Sequence, residues 1–236
     1  MAVQGIIPNV WRTVLARVFA RDVADTQAEF VRYKIGEGGF VNVPPKQPIA
    51  PLATRSDLAS EGTALPGGGT ATFTNGLAAV VGVGTSFLVD VAPGDWIKPG
   101  PTPSVFSGSA GVPGSEVDEW GLVLAVPTNL SITLSAPYTG ATLGGRPVRK
   151  AAEPLFTFRK ALLAADVTLF SSLPAITEID AIVLAAEANL DQLGNPPEFF
   201  EVGIFDANGV MIAYITFDLE TKTGAVQLNH IIQIVF

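Results

Sequence analysis

Apolar and polar residues alternate along most of the chain, and this pattern predicts β-strands. The clearest example covers residues 198–217, where two apolar runs flank the tetrapeptide Asp206-Ala-Asn-Gly209. Gly209 can adopt the positive φ that a short hairpin loop requires, and the Asp206 side chain can accept a hydrogen bond from the backbone of the same turn. The sequence therefore predicts a β-hairpin in the last quarter of the chain.

Other segments have the same period of two and are bounded by turn residues. They are residues 28–35, 70–74, 77–84, 95–98, 120–126, 130–134, 156–160, 179–186 and 226–236. Fourteen Phe, 24 Gly and 18 Pro favour short strands and frequent turns over long helices. The prediction is a mainly β protein.

The N-terminal segment has a different period. After Asn9, a plausible N-cap, apolar residues recur at helical spacing, and Arg12, Arg17 and Arg21 lie on the opposite side. Such a helix can cover the core of its own domain, dock on a partner subunit or lie on a membrane. Its apolar face supplies six candidate partner contacts: Val10, Trp11, Val14, Leu15, Val18 and Phe19.

Residues 44–69 are rich in Pro, Gly, Ala and Ser, and they predict a linker or an extended arm without regular structure. Pro44 and Pro45 are two further candidate partner contacts. Such an arm either stays disordered or orders against a neighbouring subunit, and packing against its own domains is the alternative. The pattern alone leaves these alternatives open.

Together these segments predict five regions. Residues 1–27 form an N-terminal helix or arm, 28–43 contribute a strand that pairs with the C-terminal domain, and 44–69 are the linker. Residues 70–150 form an inserted small β-barrel module of about five short strands, and 151–236 a β-sandwich-like domain. The expected fold is thus a C-terminal sandwich that carries an inserted barrel and a short amphipathic helix.

The charge distribution narrows the possible partners. Residues 151–236 contain three basic and 11 acidic side chains, and they account for the whole net charge of −8. Nucleic acid is an unsuitable partner, because phosphate binding needs clustered Lys and Arg. The chain has no Cys and no apolar run long enough to span a membrane. We expect no secretory signal, because residues 1–8 lack a charged region and a continuous apolar core.

Candidate chemistry is sparse, so we expect no catalytic, cofactor-binding or metal-binding residues. His230 is the single histidine, and its alternation with Leu228, Ile232 and Ile234 places it on an apolar face. That position favours a core or interface histidine, with a pH-sensitive contact or a catalytic base as the alternatives. No Gly-x-Ser-x-Gly motif is present.

Two acidic pairs could in principle perform acid–base chemistry, namely Asp118 with Glu119 and Glu198 with Glu201. We expect both pairs to be solvated surface charges, because Asp and Glu are rarely buried.

Several of these segments resemble structural proteins of tailed bacteriophages. Residues 199–217, Lys222-Thr223, Leu228-Asn-His230 and 32–40 resemble baseplate and tail-fibre-attachment components. The barrel module is similar to small β-barrels of phage virion proteins at Thr74-Asn-Gly76, Val83-Gly-Thr-Ser-Phe87, Ala92-Pro-Gly-Asp-Trp-Ile97 and Ser131-Ile-Thr-Leu134.

The resemblance implies a non-enzymatic structural component of a phage tail that connects neighbouring virion subunits. Its partners would be other tail proteins and copies of itself, without nucleic acid or stable membrane association. It would be located in the virion tail after assembly in the bacterial cytoplasm. The alternatives are a head–tail collar or capsid-decoration protein, and a carbohydrate- or receptor-binding module in which Trp96 and Trp120 stack against sugars.

Overall fold

The computed structural model describes residues 4–6, 32–41, 44–55, 57–100, 119–162, 164–170, 176–188, 190–206 and 209–235. It is 50% strand and 5% helix, so the predicted mainly β class is confirmed. The predicted N-terminal helix, with its six candidate contacts from Val10 to Phe19, lies outside the described residues.

The described strands, in chain order, are β1 Gln4–Ile6, β2 Arg32–Gly36, β3 Phe40–Val41, β4 Gln47–Pro48, β5 Thr63–Ala64, β6 Thr70–Phe73, β7 Ala79–Val83, β8 Trp96–Pro99, β9 Gly121–Thr128, β10 Ser131–Leu134, β11 Leu143–Arg146, β12 Val148–Ala151, β13 Thr157–Ala161, β14 Val167–Phe170, β15 Ile176–Val183, β16 Glu198–Phe205, β17 Met211–Thr221 and β18 Leu228–Val235. The short helices are Ala59–Glu61, Phe87–Asp90 and Ala164–Asp166.

Two sheets form a sandwich from the C-terminal strands and two earlier ones. The first sheet has the order β1-β17-β16-β2-β13, and the second has the order β14-β15-β18. One hydrophobic core contains buried residues from both sheets, among them Ile35, Val202 and Ile204 from the first and Ile179 and Ile232 from the second. Burial of these facing apolar sides is the main force that holds the sandwich together.

Strand β2 lies between β13 and β16 in the first sheet, where Ile35 is opposite both Phe158 and Val202. A strand from 28–43 therefore pairs within the C-terminal region, although residues 37–156 separate β2 from β13 in the chain. The predicted hairpin is confirmed as β16 and β17. At its turn Gly209 has a φ of 76°, and the Val210 N–H donates to Asp206 Oδ1 over 2.8 Å.

The inserted module is an eight-stranded sheet with the order β11-β6-β7-β10-β9-β8-β12-β5, curled into a half-barrel. The sequence predicts a closed barrel of about five strands. The sheet is larger because β5, from the segment predicted as a linker, and β12, at the end of the module, add to it beside β8. A separate core that includes Phe73, Phe87, Ile97 and Ile132 fills its concave side.

The prediction that residues 44–69 lack regular structure is wrong. They contain β4, the 3-10 helix Ala59–Glu61 and β5, and Leu58, Ser60 and Glu61 are buried. Backbone hydrogen bonds also hold the segment, for example from Ile49 N–H to Gly39 O over 2.8 Å. The segment orders against its own domains, which was one of the alternatives for a Pro- and Gly-rich arm.

Candidate functional site

The most distinctive site lies where the sandwich meets the half-barrel, and Glu61 is at its centre. The Glu61 carboxylate is fully buried and accepts hydrogen bonds from three cationic side chains. Lys34 Nζ of β2 lies 2.8 Å from Oε1, Lys98 Nζ of β8 lies 2.9 Å from Oε2, and Arg159 Nη2 of β13 lies 2.7 Å from both oxygens. Lys34 and Arg159 belong to the sandwich, whereas Lys98 belongs to the half-barrel.

A second carboxylate extends this cluster. Asp57 Oδ1 lies 2.8 Å from Lys34 Nζ, and Asp57 Oδ2 lies 3.4 Å from Arg149 Nη2 of β12. We call Lys34, Asp57, Glu61, Lys98, Arg149 and Arg159 the junction cluster. The two lysines also lie over aromatic rings, with Lys34 Nζ 4.6 Å from the Phe205 centroid and Lys98 Nζ 4.7 Å from the Trp120 centroid.

Opposing effects act on the ionisation of Glu61. Burial by itself would raise the pKa of its carboxyl, but the charges of Arg159, Lys34 and Lys98 outweigh burial and hold that pKa well below its ordinary value. Glu61 is therefore ionised throughout the physiological pH range. A carboxylate whose two oxygens are occupied by bound cations is suited to a structural role, and it has no free oxygen with which to accept a substrate proton.

Glu201 positions the turn that carries Glu61. The Glu201 carboxylate accepts hydrogen bonds from Ala59 N–H over 2.9 Å and from Ser60 N–H over 2.8 Å, and Tyr214 Oη donates to it over 2.7 Å. The prediction that Glu201 is a solvated surface charge is wrong, because the residue is completely buried. Glu201 lies in β16, and both faces of this strand are packed against other residues. Neither set of alternating positions in β16 therefore faces solvent.

Burial raises the pKa of Glu201, and the N–H groups of Ser60 and Ala59 offset this only in part. The backbone of β2 and the following turn must also approach this carboxylate closely. A Cβ on Gly38 would lie 2.3 Å from Ser60 N and 2.5 Å from Glu201 Oε1. Glycine at position 38 is thus required by the contact that fixes the junction.

Trp120 makes a second connection between the half-barrel and the sandwich. Its Nε1–H donates to Leu155 O over 2.9 Å, and its backbone exchanges two hydrogen bonds with the Gln192 side chain. Trp120 is only 3% exposed, and Trp96 is partly buried. The exposed tryptophan pair that sugar stacking would require is therefore not formed by these two residues.

A groove of about 530 Å³ lies beside the junction, and it is lined by Glu37, Phe40, Lys46, Glu153, Asp191 and Glu198 among others. Two of its carboxylates, those of Glu37 and Glu198, have local partners. Glu37 accepts the N–H groups of Phe156 and Glu198, and Glu198 forms a half-exposed ion pair with Lys46 at 2.8 Å. These contacts fix loops at the groove and occupy the carboxylates of Glu37 and Glu198.

His230 faces the sandwich core, as the alternation of β18 predicts. Its ring centroid lies 4.7 Å from that of Phe217, and its Nε2 is 3.2 Å from Glu220 Oε2. Burial lowers the pKa of His230 and raises the pKa of Glu220, so it opposes the charged form of each group.

Sequence reasoning missed the junction cluster. One signal was available, because Lys34 and Lys98 each lie within a short apolar strand, where an unpaired cation would be costly. Of the eight candidate partner contacts, only Pro44 and Pro45 are described, and both are exposed. Of the candidate acidic pairs, Asp118 lies outside the described residues, and Glu119 accepts a hydrogen bond from Thr139.

Neither a protein-family model, nor a curated protein, nor a solved structure matches this chain. Within the described ranges, no group of three or more His, Asp or Glu side chains is placed to hold a metal ion. The described part of the chain also contains no helix that is long and apolar enough to cross a membrane.

Proposed function

We propose that this chain is a non-enzymatic structural component of a phage tail, of the baseplate or tail-fibre-adaptor type, that connects neighbouring virion subunits. The junction cluster is the observation that carries the proposal. Glu61 binds cations from the sandwich and from the half-barrel at distances of 2.7 to 2.9 Å. Such a contact holds two β domains at a fixed relative position, which a spacer between subunits needs.

The burial of the cluster strengthens this argument. Buried ion pairs are weak sources of net stability compared with apolar packing, but they require a defined geometry to satisfy every charge. Lys34, Glu61 and Lys98 are each at most 1% exposed, so displacement of one domain would leave charges unpaired in the interior. In this protein the cluster would hold the sandwich and the half-barrel in one relative orientation.

Charge would then select the partners. The acidic residues 151–236 would attract basic surfaces of neighbouring tail proteins and repel acidic ones, and the unequal charge gives the two ends of the spacer different preferences. The proposed role assigns no catalytic residue and no cofactor.

The test is the protein composition of purified particles. Particles from the source that encodes this chain would be separated on successive density gradients, and each fraction would be quantified by mass spectrometry. We expect a constant molar ratio of the chain to known tail proteins through every gradient, while an abundant cytoplasmic protein, as the control, is progressively lost. Loss of the chain in parallel with that control would contradict the proposal.

A further inference from the structure

Four adjacent strands of the half-barrel form a surface that lacks charged side chains. No charged side chain occurs in residues 62–89 or 120–145, although the whole chain has 14 basic and 22 acidic residues. These two stretches contain β6, β7, β10 and β9, which are consecutive neighbours in the sheet. Four adjacent strands therefore present an uncharged outer face.

Several large aliphatic side chains are exposed on and beside these strands. Of the described residues, the two most exposed large hydrophobic ones are Val89, at 84%, and Val83, at 70%. Val81, Leu88 and Leu130 are each at least half exposed. We call Val81, Val83, Leu88, Val89 and Leu130 the apolar corner.

Backbone contacts hold the apolar corner together. Gly82 N–H, between Val81 and Val83, donates to Leu130 O over 2.9 Å. Leu88 N–H donates to Asn129 Oδ1 over 3.2 Å, so the helix Phe87–Asp90 is bound to the same turn as β7. These contacts join β7, the turn before β10 and the helix into one surface, and a contiguous exposed apolar surface typically marks an interaction site.

Hydroxyl groups surround the apolar corner on the same face. In the antiparallel pairing Val81 is opposite Thr72 and Ser131, and Val83 is opposite Thr70, so all these side chains point outward together. A hydroxyl can both donate and accept a hydrogen bond. A face made of aliphatic and hydroxyl groups is consequently complementary to itself.

We propose that this outer face, centred on the apolar corner, joins two copies of the chain. Copies that each carry a net charge of −8 repel one another, and this repulsion is weakest where the facing surfaces carry no charge. A basic partner protein would instead be attracted to the acidic residues 151–236. The inference rests on the proposed structural role, because a spacer used in repeated copies needs a face at which the copies meet.

Sedimentation velocity of the full chain tests this inference. Concentrations from about 1 to about 300 μM cover the range in which a small interface associates. We expect the wild type to form dimers as concentration rises, and Val83→Lys and Val89→Lys each to weaken dimerisation about tenfold or more, because a buried unpaired lysine opposes association. Leu169→Lys is the matched control, because Leu169 is 69% exposed on β14 of the sandwich, and it should dimerise as the wild type does.

Circular dichroism verifies that each variant is folded. The two test positions lie on different elements, so if one variant fails to fold, the other still tests whether this face forms the dimer. A wild type that stays monomeric at every concentration overturns the inference, and so does unchanged dimerisation in the folded test variants. Binding of a monomeric wild type to phosphatidylcholine vesicles, lost in Val83→Lys, overturns it in favour of a lipid surface. The composition of purified particles is measured independently, so failure of the dimer and failure of the tail role are distinguishable.

Discussion

Replacement of Glu61 by Gln is the most informative single perturbation of the fold. The substitution preserves the size of the side chain but removes the negative charge, and it leaves Lys34, Lys98 and Arg159 without their shared counterion. Counted as one charge-assisted hydrogen bond for each of the three cations, at about 1.5 to 3 kcal/mol each, these contacts set a bound near 9 kcal/mol.

The expected loss is smaller than this bound, because the three contacts are mutually coupled and Lys34 retains Asp57 at 2.8 Å. Removal of one partner from a buried ion pair typically costs about 3 to 5 kcal/mol. We therefore expect the free energy of unfolding to fall by about 3 to 5 kcal/mol, which is a large part of the total stability of an ordinary protein. For a chain of this size the melting temperature should fall by about 6 to 20 °C.

Urea titrations give the measurement, followed by tryptophan fluorescence and by far-ultraviolet circular dichroism. Trp120 reports on the junction, because it is buried against Lys98. Glu198→Gln is the matched control, since it removes a carboxylate from a half-exposed pair with Lys46, and exposed pairs contribute about 0 to 1 kcal/mol. If Glu61→Gln loses no more stability than Glu198→Gln, the junction cluster does not hold the two domains together.

Three further predictions concern the supporting contacts. Because burial raises the pKa of Glu201, the folded chain binds the Glu201 proton more tightly than the unfolded chain, so this group destabilises the fold as pH rises above about 4.5. Glu201→Gln should remove that contribution from the difference in unfolding free energy between pH 5 and pH 8, measured by urea titration. If the variant and the wild type show the same difference, this prediction is refuted. Gly38→Ala should lower the free energy of unfolding by about 1 to 3 kcal/mol or more, because the new Cβ would overlap Ser60 N. Gly144→Ala is the control, because the nearest atom to its new Cβ is 3.6 Å away. Equal melting temperatures of the two variants would contradict the close contact at Gly38. Burial lowers the pKa of His230, so its protonation on unfolding should reduce stability as pH falls below about 6.5. His230→Gln should therefore reduce the change in melting temperature between pH 7.5 and pH 5.5. A change equal to that of the wild type would exclude His230 as the cause.

Local signals in the sequence were sufficient for the strands. Gly209 and Asp206 mark the hairpin turn because their conformational preferences act within a few residues, and the turn forms as they predict. The alternation in β18 likewise places His230 on the buried face, since side-chain direction in a strand follows a period of two.

The junction could not be predicted in the same way, because its partners are distant in the chain. Glu61 is 27 residues from Lys34, 37 from Lys98 and 98 from Arg159. A carboxylate in a Pro- and Gly-rich stretch is typical of a solvated linker, and only the tertiary fold brings the three cations to it. Glu201 was misread for a related reason, since the rarity of buried carboxylates outweighed its position in a strand that is apolar on both faces.

The most direct test of a tail spacer with fixed geometry is cryo-electron microscopy of intact particles from the source. We predict repeated density for the chain in a ring or arm at the tail end, into which the sandwich and the half-barrel fit together as one rigid body with the Glu61 contacts intact. Absence of the chain from the tail density, or half-barrels placed at variable angles to their sandwiches, would contradict the account.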